Sequence, residues 1–291
     1  MIRIIIFLFT NLSVMLIFGL ILSFTSIDIN SLYGLMIISG CFGFSGSLIS
    51  LFMSKWIALY SVGGQIISKP SNPNEEWLMN IVKKHADKMG IMTPEIAIYP
   101  ALDINAFATG HSKNSALIAI SLGLLKKMNL NEAEAVIAHE MCHIYNGDMI
   151  TMTLIQGVIN TIVIFTSRVI AKIISTNFIS NKEENENNQT SMIYFIISTI
   201  LDILFGILAN IIVLWFSRNR EFYADAGSAK LVGKYKMIAA LEKLKTSYEP
   251  EEPNNIIAFC INGKSSAILK LFRSHPSLEQ RITALYNEKY M

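Results

Sequence analysis

The chain has 291 residues, 52% of them hydrophobic and only 16% charged, with a mean hydropathy of +0.43 and a net charge of +2. Soluble domains carry about a quarter charged residues, so composition argues against an ordinary soluble enzyme and against a disordered or fibrous chain. With no long basic tract, nucleic acid is not an expected partner. The odd set Cys41, Cys142 and Cys260 contains no C-x-x-C pair and reads as free thiols in a reducing compartment.

In chain order, Ile4 to Phe24 is an uncharged run of 21 residues. As a helix it spans a bilayer core of about 30 Å. No A-x-A-like cleavage site follows, so it reads as an anchor and not a signal peptide. A second run, Leu32 to Met53, comes after the turn Thr25 to Ser31, and residues 1–53 are expected to form a transmembrane hairpin. Residues 54–148 read as a folded domain. A helix is expected over Asn74 to Met89, bounded by Pro73 and Gly90. β-like runs follow at Ile96 to Tyr99, Asn105 to Thr109 and Ala116 to Ile120, with Gly110 to Asn114 as a hairpin loop. Asn131, with Glu134 three residues on, is read as the cap of a helix that reaches Asn146 and stops at Gly147.

Residues 149–216 hold two more apolar runs. Met149 to Ser167 is uncharged but carries Thr151, Thr153, Gln156, Asn160, Thr161 and Thr166. Lining an internal groove explains that polarity, and so does never entering lipid. Met192 to Phe216 has Asp202 as its one charge, and the run Lys182 to Gln189 before it is a solvated loop. The tail, 217–291, reads as helices at Glu221 to Leu231, Lys236 to Lys245 and Leu278 to Tyr290, with a polar loop at Glu249 to Asn255. Arg3, Lys55, Lys69, Arg218 and Arg220 flank one side of these runs, while the turn at Thr25 to Ser31 has no basic residue. The bias predicts that the N-terminus, 54–148 and 217–291 face the cytoplasm, against the single contrary signal of Lys172.

The chemistry-bearing motif is His139-Glu140-Met141-Cys142-His143 inside the capped helix. Two His four apart share a helix face, so both rings reach one ion. The intervening Glu lies beside that face, in position to act on water as a general base. This is the H-E-x-x-H arrangement, with zinc as the expected ion. A catalytic zinc takes three protein ligands and keeps a fourth position open. Position 149 is Met149, so no third His follows on the H-E-x-x-H-x-x-G-x-x-H pattern. The better candidate is Glu221, with Asp225 one turn on, placed to accept the free N–H of a ligand His. A solvated face beside Arg218 and Arg220 is the plainer alternative for both carboxylates. Between His143 and Glu221 lie both later apolar runs, so two crossings, or none, return the ligands to one side.

Together with Asn105-Ala106-Phe107-Ala108-Thr109-Gly110, Gly147-Asp148-Met149 and His275-Pro276-Ser277-Leu278-Glu279-Gln280-Arg281-Ile282, these motifs run nearly the whole length. In them the chain resembles the HtpX family of membrane-integrated zinc metalloproteases, relatives of the CAAX prenyl proteases. The resemblance implies a mainly α fold with a small β-sheet, an integral membrane protein with up to four transmembrane helices and a cytoplasmic zincin-like (gluzincin) protease domain. It implies one Zn2+ per chain held by His139, His143 and Glu221, with Glu140 as general base. It places His275 as an oxyanion donor, with Arg281 holding the architecture, and Asn105, Ala106, Phe107 and Ala108 as an edge strand that pairs with extended substrate. It implies a bacterial inner (cytoplasmic) membrane location and endoproteolysis of misfolded or damaged membrane proteins as polypeptide substrates; the oligomeric state stays open. Cys142 departs mildly by sitting inside the motif, about 60° from the His139 direction, where packing is favoured over ligation. Two rival functions remain: a CAAX-type prenyl-protein processing protease, for which the chain is short, and a non-catalytic membrane zinc-binding protein, which would have no use for Glu140.

Overall fold

The computed structural model describes residues 31–179, 187–247 and 275–290. The run Ile4 to Phe24, the loop Glu249 to Asn255 and Cys260 lie outside the described residues. Helices dominate: α1 (Leu32–Phe52), α2 (Ser54–Val62), α3 (Pro73–Met89), α4 (Leu122–Lys127), α5 (Leu130–Asn146), α6 (Asp148–Ile179), α7 (Asn187–Val232), α8 (Lys234–Ser247) and α9 (Leu278–Tyr286). Four strands, β1 (Gln65–Ile66), β2 (Glu95–Tyr99), β3 (Ala106–Ser112) and β4 (Ser115–Ser121), form one sheet. The described residues divide into two compact units, one of 31–50 with 152–179 and 187–213, the other of 51–151 with 214–247 and 275–290.

The second unit holds the sheet, in the order β1-β2-β4-β3. β2 and β4 run parallel, while β1 and β3 are antiparallel to their neighbours. β4 reads Ser-Ala-Leu-Ile-Ala-Ile-Ser because both its faces are covered. Ala116, Ile118 and Ile120 join Leu78 and Val82 of α3, Ile137 and Met141 of α5 and Leu241 of α8 in the main core. Leu117 and Ala119 face the other way, with Ala97 and Tyr99, beneath Leu59 and Val62 of α2. Truncating a buried Ile or Met of the main core to Ala costs about 2–5 kcal/mol. β3, paired with β4 alone among the described strands, forms an edge of the sheet.

In the first unit, α1 and α6 approach closely. A Cβ at Gly43 would overlap Thr161, and one at Gly157 would enter the Phe44 ring. Helices in lipid gain no hydrophobic contact from pairing, so small residues that let backbones meet mark their interfaces. Arg168 of α6 donates to Asp202 of α7 at 3.0 Å. The described residues include three helices long and apolar enough to cross a membrane: α1, residues 148–176 of α6 and residues 192–232 within α7.

Several boundaries differ from those expected. The cap of α5 is Asn129, whose side chain accepts from the Asn131 and Glu132 amides while Glu132 answers to the Asn129 amide. Asn131-x-x-Glu134 satisfies the same pattern, but Glu134 turns inward to Lys236 at 2.6 Å. The apolar run at 149–167 does not stop at Arg168, because Asp202 neutralises that charge and α6 continues to Ile179. Met192 to Phe216 and Glu221 to Leu231 are not separate helices. α7 runs unbroken between them and ends at Gly233, whose φ is +108°. β3 extends to Ser112, shortening the expected hairpin loop to Lys113-Asn114, and the last helix ends at Tyr286.

Candidate active site

The site is built where α5 meets the last turns of α7. The capping box at Asn129 starts α5, and Gly147, in the left-handed region at φ +69°, ends it. His139 and His143 therefore lie one turn apart on one face, with their Nε2 atoms 3.1 Å from each other. Glu221 of α7 faces both: its Oε1 is 3.4 Å from His143 Nε2, and its Oε2 is 3.7 Å from His139 Nε2. A tetrahedral ion with bonds of about 2.0–2.1 Å holds its ligands about 3.3 Å apart. The three separations bracket that edge, and the three side chains form a group able to hold a metal ion.

The far side of each imidazole meets a carboxylate. Asp225 Oδ1 is 2.9 Å from His139 Nδ1, and Asp148 Oδ2 is 2.5 Å from His143 Nδ1. A carboxylate that accepts Nδ1–H leaves the Nε2 lone pair for the ion and fixes the ring plane. The carboxylates are held in turn. Arg281 grips Asp225 with two parallel hydrogen bonds, Nε to Oδ2 at 2.7 Å and Nη2 to Oδ1 at 2.6 Å, and places Nη1 3.0 Å from Glu221 Oε2. Arg220 pairs with Asp148. With the imidazoles neutral, four carboxylates (Glu140, Asp148, Glu221, Asp225) face two guanidiniums (Arg220, Arg281), an excess of two negative charges that suits a divalent cation.

Without an ion, protons answer part of that negative excess, and a bound cation would displace them. Burial opposes charge on His143, but its contacts with Asp148 and Glu221 outweigh burial and lift the imidazole to about 10. Burial likewise opposes ionisation of Glu221, yet His143, His275 and Arg281 hold it far below the usual carboxylate range. Burial raises Glu140, with His139 and His143 pulling against it and a backbone hydrogen bond from Ala108 also lowering it. Cys142 is buried with its Sγ against Gly227, and burial pushes its thiol up to about 12. It fills space between α5 and α7 and stays protonated.

His275 lies at the rim, with 63% of its side chain exposed and Nδ1 3.1 Å from Glu221 Oε2. Asn105 precedes β3, where its amide donates to Ser121 Oγ at 3.1 Å. Ala106, Phe107 and Ala108 lie in the edge strand, and the Ala108 contact ties that strand to Glu140. Sequence reasoning gave no role to Asp148 or Arg220. The signal for Asp148 was its place directly after the Gly147 cap, where a carboxylate can turn back onto the last turn of α5.

Comparison with known proteins decides the family. The model of Peptidase family M48 matches residues 72–289. The chain belongs to peptidase family M48. It is 63% identical to the "Protease HtpX" of Buchnera aphidicola subsp. Baizongia pistaciae (strain Bp), over 100% of both chains. It is 59% identical to the "Protease HtpX" of Serratia proteamaculans (strain 568), again over 100% of both. The crystal structure of S. mikatae Ste24p aligns with a TM-score of 0.60 at 18% identity, covering 96% of this chain. This chain spans 62% of that one's length, and the likeness is one of fold. As an M48 peptidase whose described residues include three membrane-length helices, the chain is a membrane-bound metalloprotease: mainly helical, with a small mixed sheet, acting on polypeptides.

Proposed function

We propose that the ion is zinc, that His139, His143 and Glu221 hold it, and that the substrates are misfolded or damaged membrane proteins cut at the cytoplasmic face of the bacterial inner membrane. The observation that carries the metal assignment is the convergence of both Nε2 atoms and the Glu221 carboxylate at tetrahedral spacing. Bound there, zinc supplies Lewis acidity towards water and the scissile carbonyl. Glu140 takes a proton from the attacking water and passes it to the leaving amine. His275 donates to the developing oxyanion through the ring nitrogen that Glu221 leaves free. Asp148 and Asp225 hold the two imidazoles in register, and Arg281 holds Asp225 and Glu221 together.

Residues 105–108 receive the substrate main chain. An edge strand offers unpaired N–H and C=O groups to an extended peptide, and main-chain pairing ignores side chains, which fits broad specificity. Membrane substrates are favoured by how closely the site follows the apolar runs along the chain. His143 stands six residues before Met149, and Glu221 five after Phe216 on one continuous helix, a rise of about 8 Å.

The test is cleavage of an unfolded membrane protein by detergent-purified, zinc-loaded protein, wild type against Glu140→Gln, with metal content measured on both. Glu140→Gln is expected to keep about one zinc per chain and to lose cleavage by at least 100-fold. Normal cleavage by that variant removes the base assignment. A farnesylated peptide cut in preference to the unfolded protein moves the reading to prenyl processing.

A further inference from the structure

α2 begins two residues after α1 ends, and its two faces differ. Leu59 and Val62 pack onto Ala97, Tyr99, Leu117 and Ala119 of the sheet. Lys55 anchors the helix start, 3.1 Å from Glu95 at the head of β2 and 3.5 Å from Ser115 at the head of β4. The other face carries Trp56 and Tyr60, one turn apart, stacked with ring centroids 5.7 Å apart and planes 10° from parallel. They are 57% and 64% exposed among the described residues, and Phe52, the last residue of α1, is 65% exposed. A stacked Trp–Tyr pair standing in water forfeits the hydrophobic gain that large aromatic rings give on burial.

We propose that this face is a bilayer-binding surface: α2 lies in the headgroup–acyl boundary of the leaflet where α1 ends, with Trp56 and Tyr60 inserted into it. Continuity with α1 identifies the occupant. Trp56 is four residues past Phe52, within about 14 Å of the end of a membrane-length helix. Indole and phenol rings, apolar in body and polar at one edge, concentrate at that depth. The charge pattern agrees, since Lys55, the only charged residue of α2, is turned to Glu95 on the protein side. The consequence reaches the edge strand. α2 is bolted to the sheet by Leu59 and Val62, and Phe52 meets the His111 ring of β3 at 5.6 Å. An α2 fixed in the interface sets the height of β3 above the lipid, so polypeptide is taken up close to the membrane surface.

Trp56, Trp77 and Trp215 are the chain's tryptophans. The experiment uses the full chain with Trp77→Phe and Trp215→Phe, reconstituted in phosphatidylcholine vesicles with bromine at shallow or deep acyl positions. Trp56 emission is expected to be quenched most strongly by the shallow bromines and to be shielded from aqueous iodide. Quenching by iodide with no effect of bromolipid overturns the proposal by placing the ring in water. Shielding from both overturns it in favour of a protein cover. The effect on cleavage rests on the proteolytic reading above, whereas the quenching does not, so the two can fail separately. Trp56→Ser with Tyr60→Ser is expected to cut a soluble unfolded peptide at the wild-type rate and a membrane-tethered one several-fold more slowly. Equal slowing of both substrates removes the height-setting role.

Discussion

Asp225 and Asp148 do parallel work on the two imidazoles, but their surroundings differ. Asp225 is 1% exposed and sits inside a bidentate Arg281 grip, whereas Asp148 answers to Arg220 near the start of α6. Removing a carboxylate that orients a ligand His weakens metal binding by about 10–100-fold. Asp148→Asn and Asp225→Asn are each expected to show that loss in competition with a chelator, with the fold intact. Arg281→Met differs in kind. It strands the buried Asp225 and Glu221 charges and is expected to destabilise the second unit by about 3–5 kcal/mol, seen as early thermal unfolding even with metal in excess.

A second buried cluster, away from the site, adds to the pH dependence of stability. His85 is 1% exposed, and burial holds its imidazole below the ordinary 6.5, with Glu134 at 3.4 Å pulling the other way. The unfolded chain protonates this ring as pH falls through 6.5 and the folded chain resists, so the unfolded state binds more protons. Stability therefore falls as pH drops below about 6.5. Glu134 adds a lower limb: burial opposes its charge, but Lys236 outweighs burial and holds the carboxyl below its ordinary 4.5. That contribution is present above 4.5 and is lost as pH falls through the depressed folded value. His85→Leu is expected to flatten the thermal-stability curve just below about pH 6.5 while leaving the fall below 4.5. An unchanged curve would show that the ring titrates normally in place.

At the scale of elements, helix α5 was legible because its information is local. The i, i+4 spacing of His139 and His143 and the Gly147 stop need only the geometry of one helix. Glu221 and Asp225 were read from their i, i+4 spacing and the need for a third ligand, and the structure brings both carboxylates to the imidazoles. Asp148 was not, because its contact with His143 depends on how the chain turns at Gly147, which no periodicity records. Asn129 and Asn131 both fit the capping pattern, and the choice fell to Lys236, far along the chain, which claims Glu134. The position of β3 at the edge was equally invisible, since strand order rests on long-range pairing. That edge yields a prediction at this scale. Ala106→Pro removes one N–H at the start of β3 and one donor for a bound peptide. A folded variant is expected to bind substrate peptide more weakly, raising KM with little change in kcat. Wild-type affinity would take the strand out of the binding site.

For the whole molecule, two helices of membrane length, α6 and α7, lie in the chain between His143 and Glu221. Both are apolar apart from a few charges, and the charges Arg168 and Asp202 pair with each other. Charged groups inside membrane helices face their partners and seldom the lipid. The energetics follow from what each substitution strands. Arg168→Met leaves the Asp202 carboxylate alone in its apolar run, and Asp202→Leu leaves Arg168 alone, so each single variant is expected to lose stability by about 3 kcal/mol or more. The double variant, Arg168→Met with Asp202→Leu, strands nothing and replaces the pair by apolar contact, so it is expected to recover most of that loss. Thermal unfolding in detergent of all four proteins measures the coupling. If the two single losses simply add in the double variant, the pair is not an interacting unit, and α6 and α7 are held together by their small-residue and apolar contacts alone.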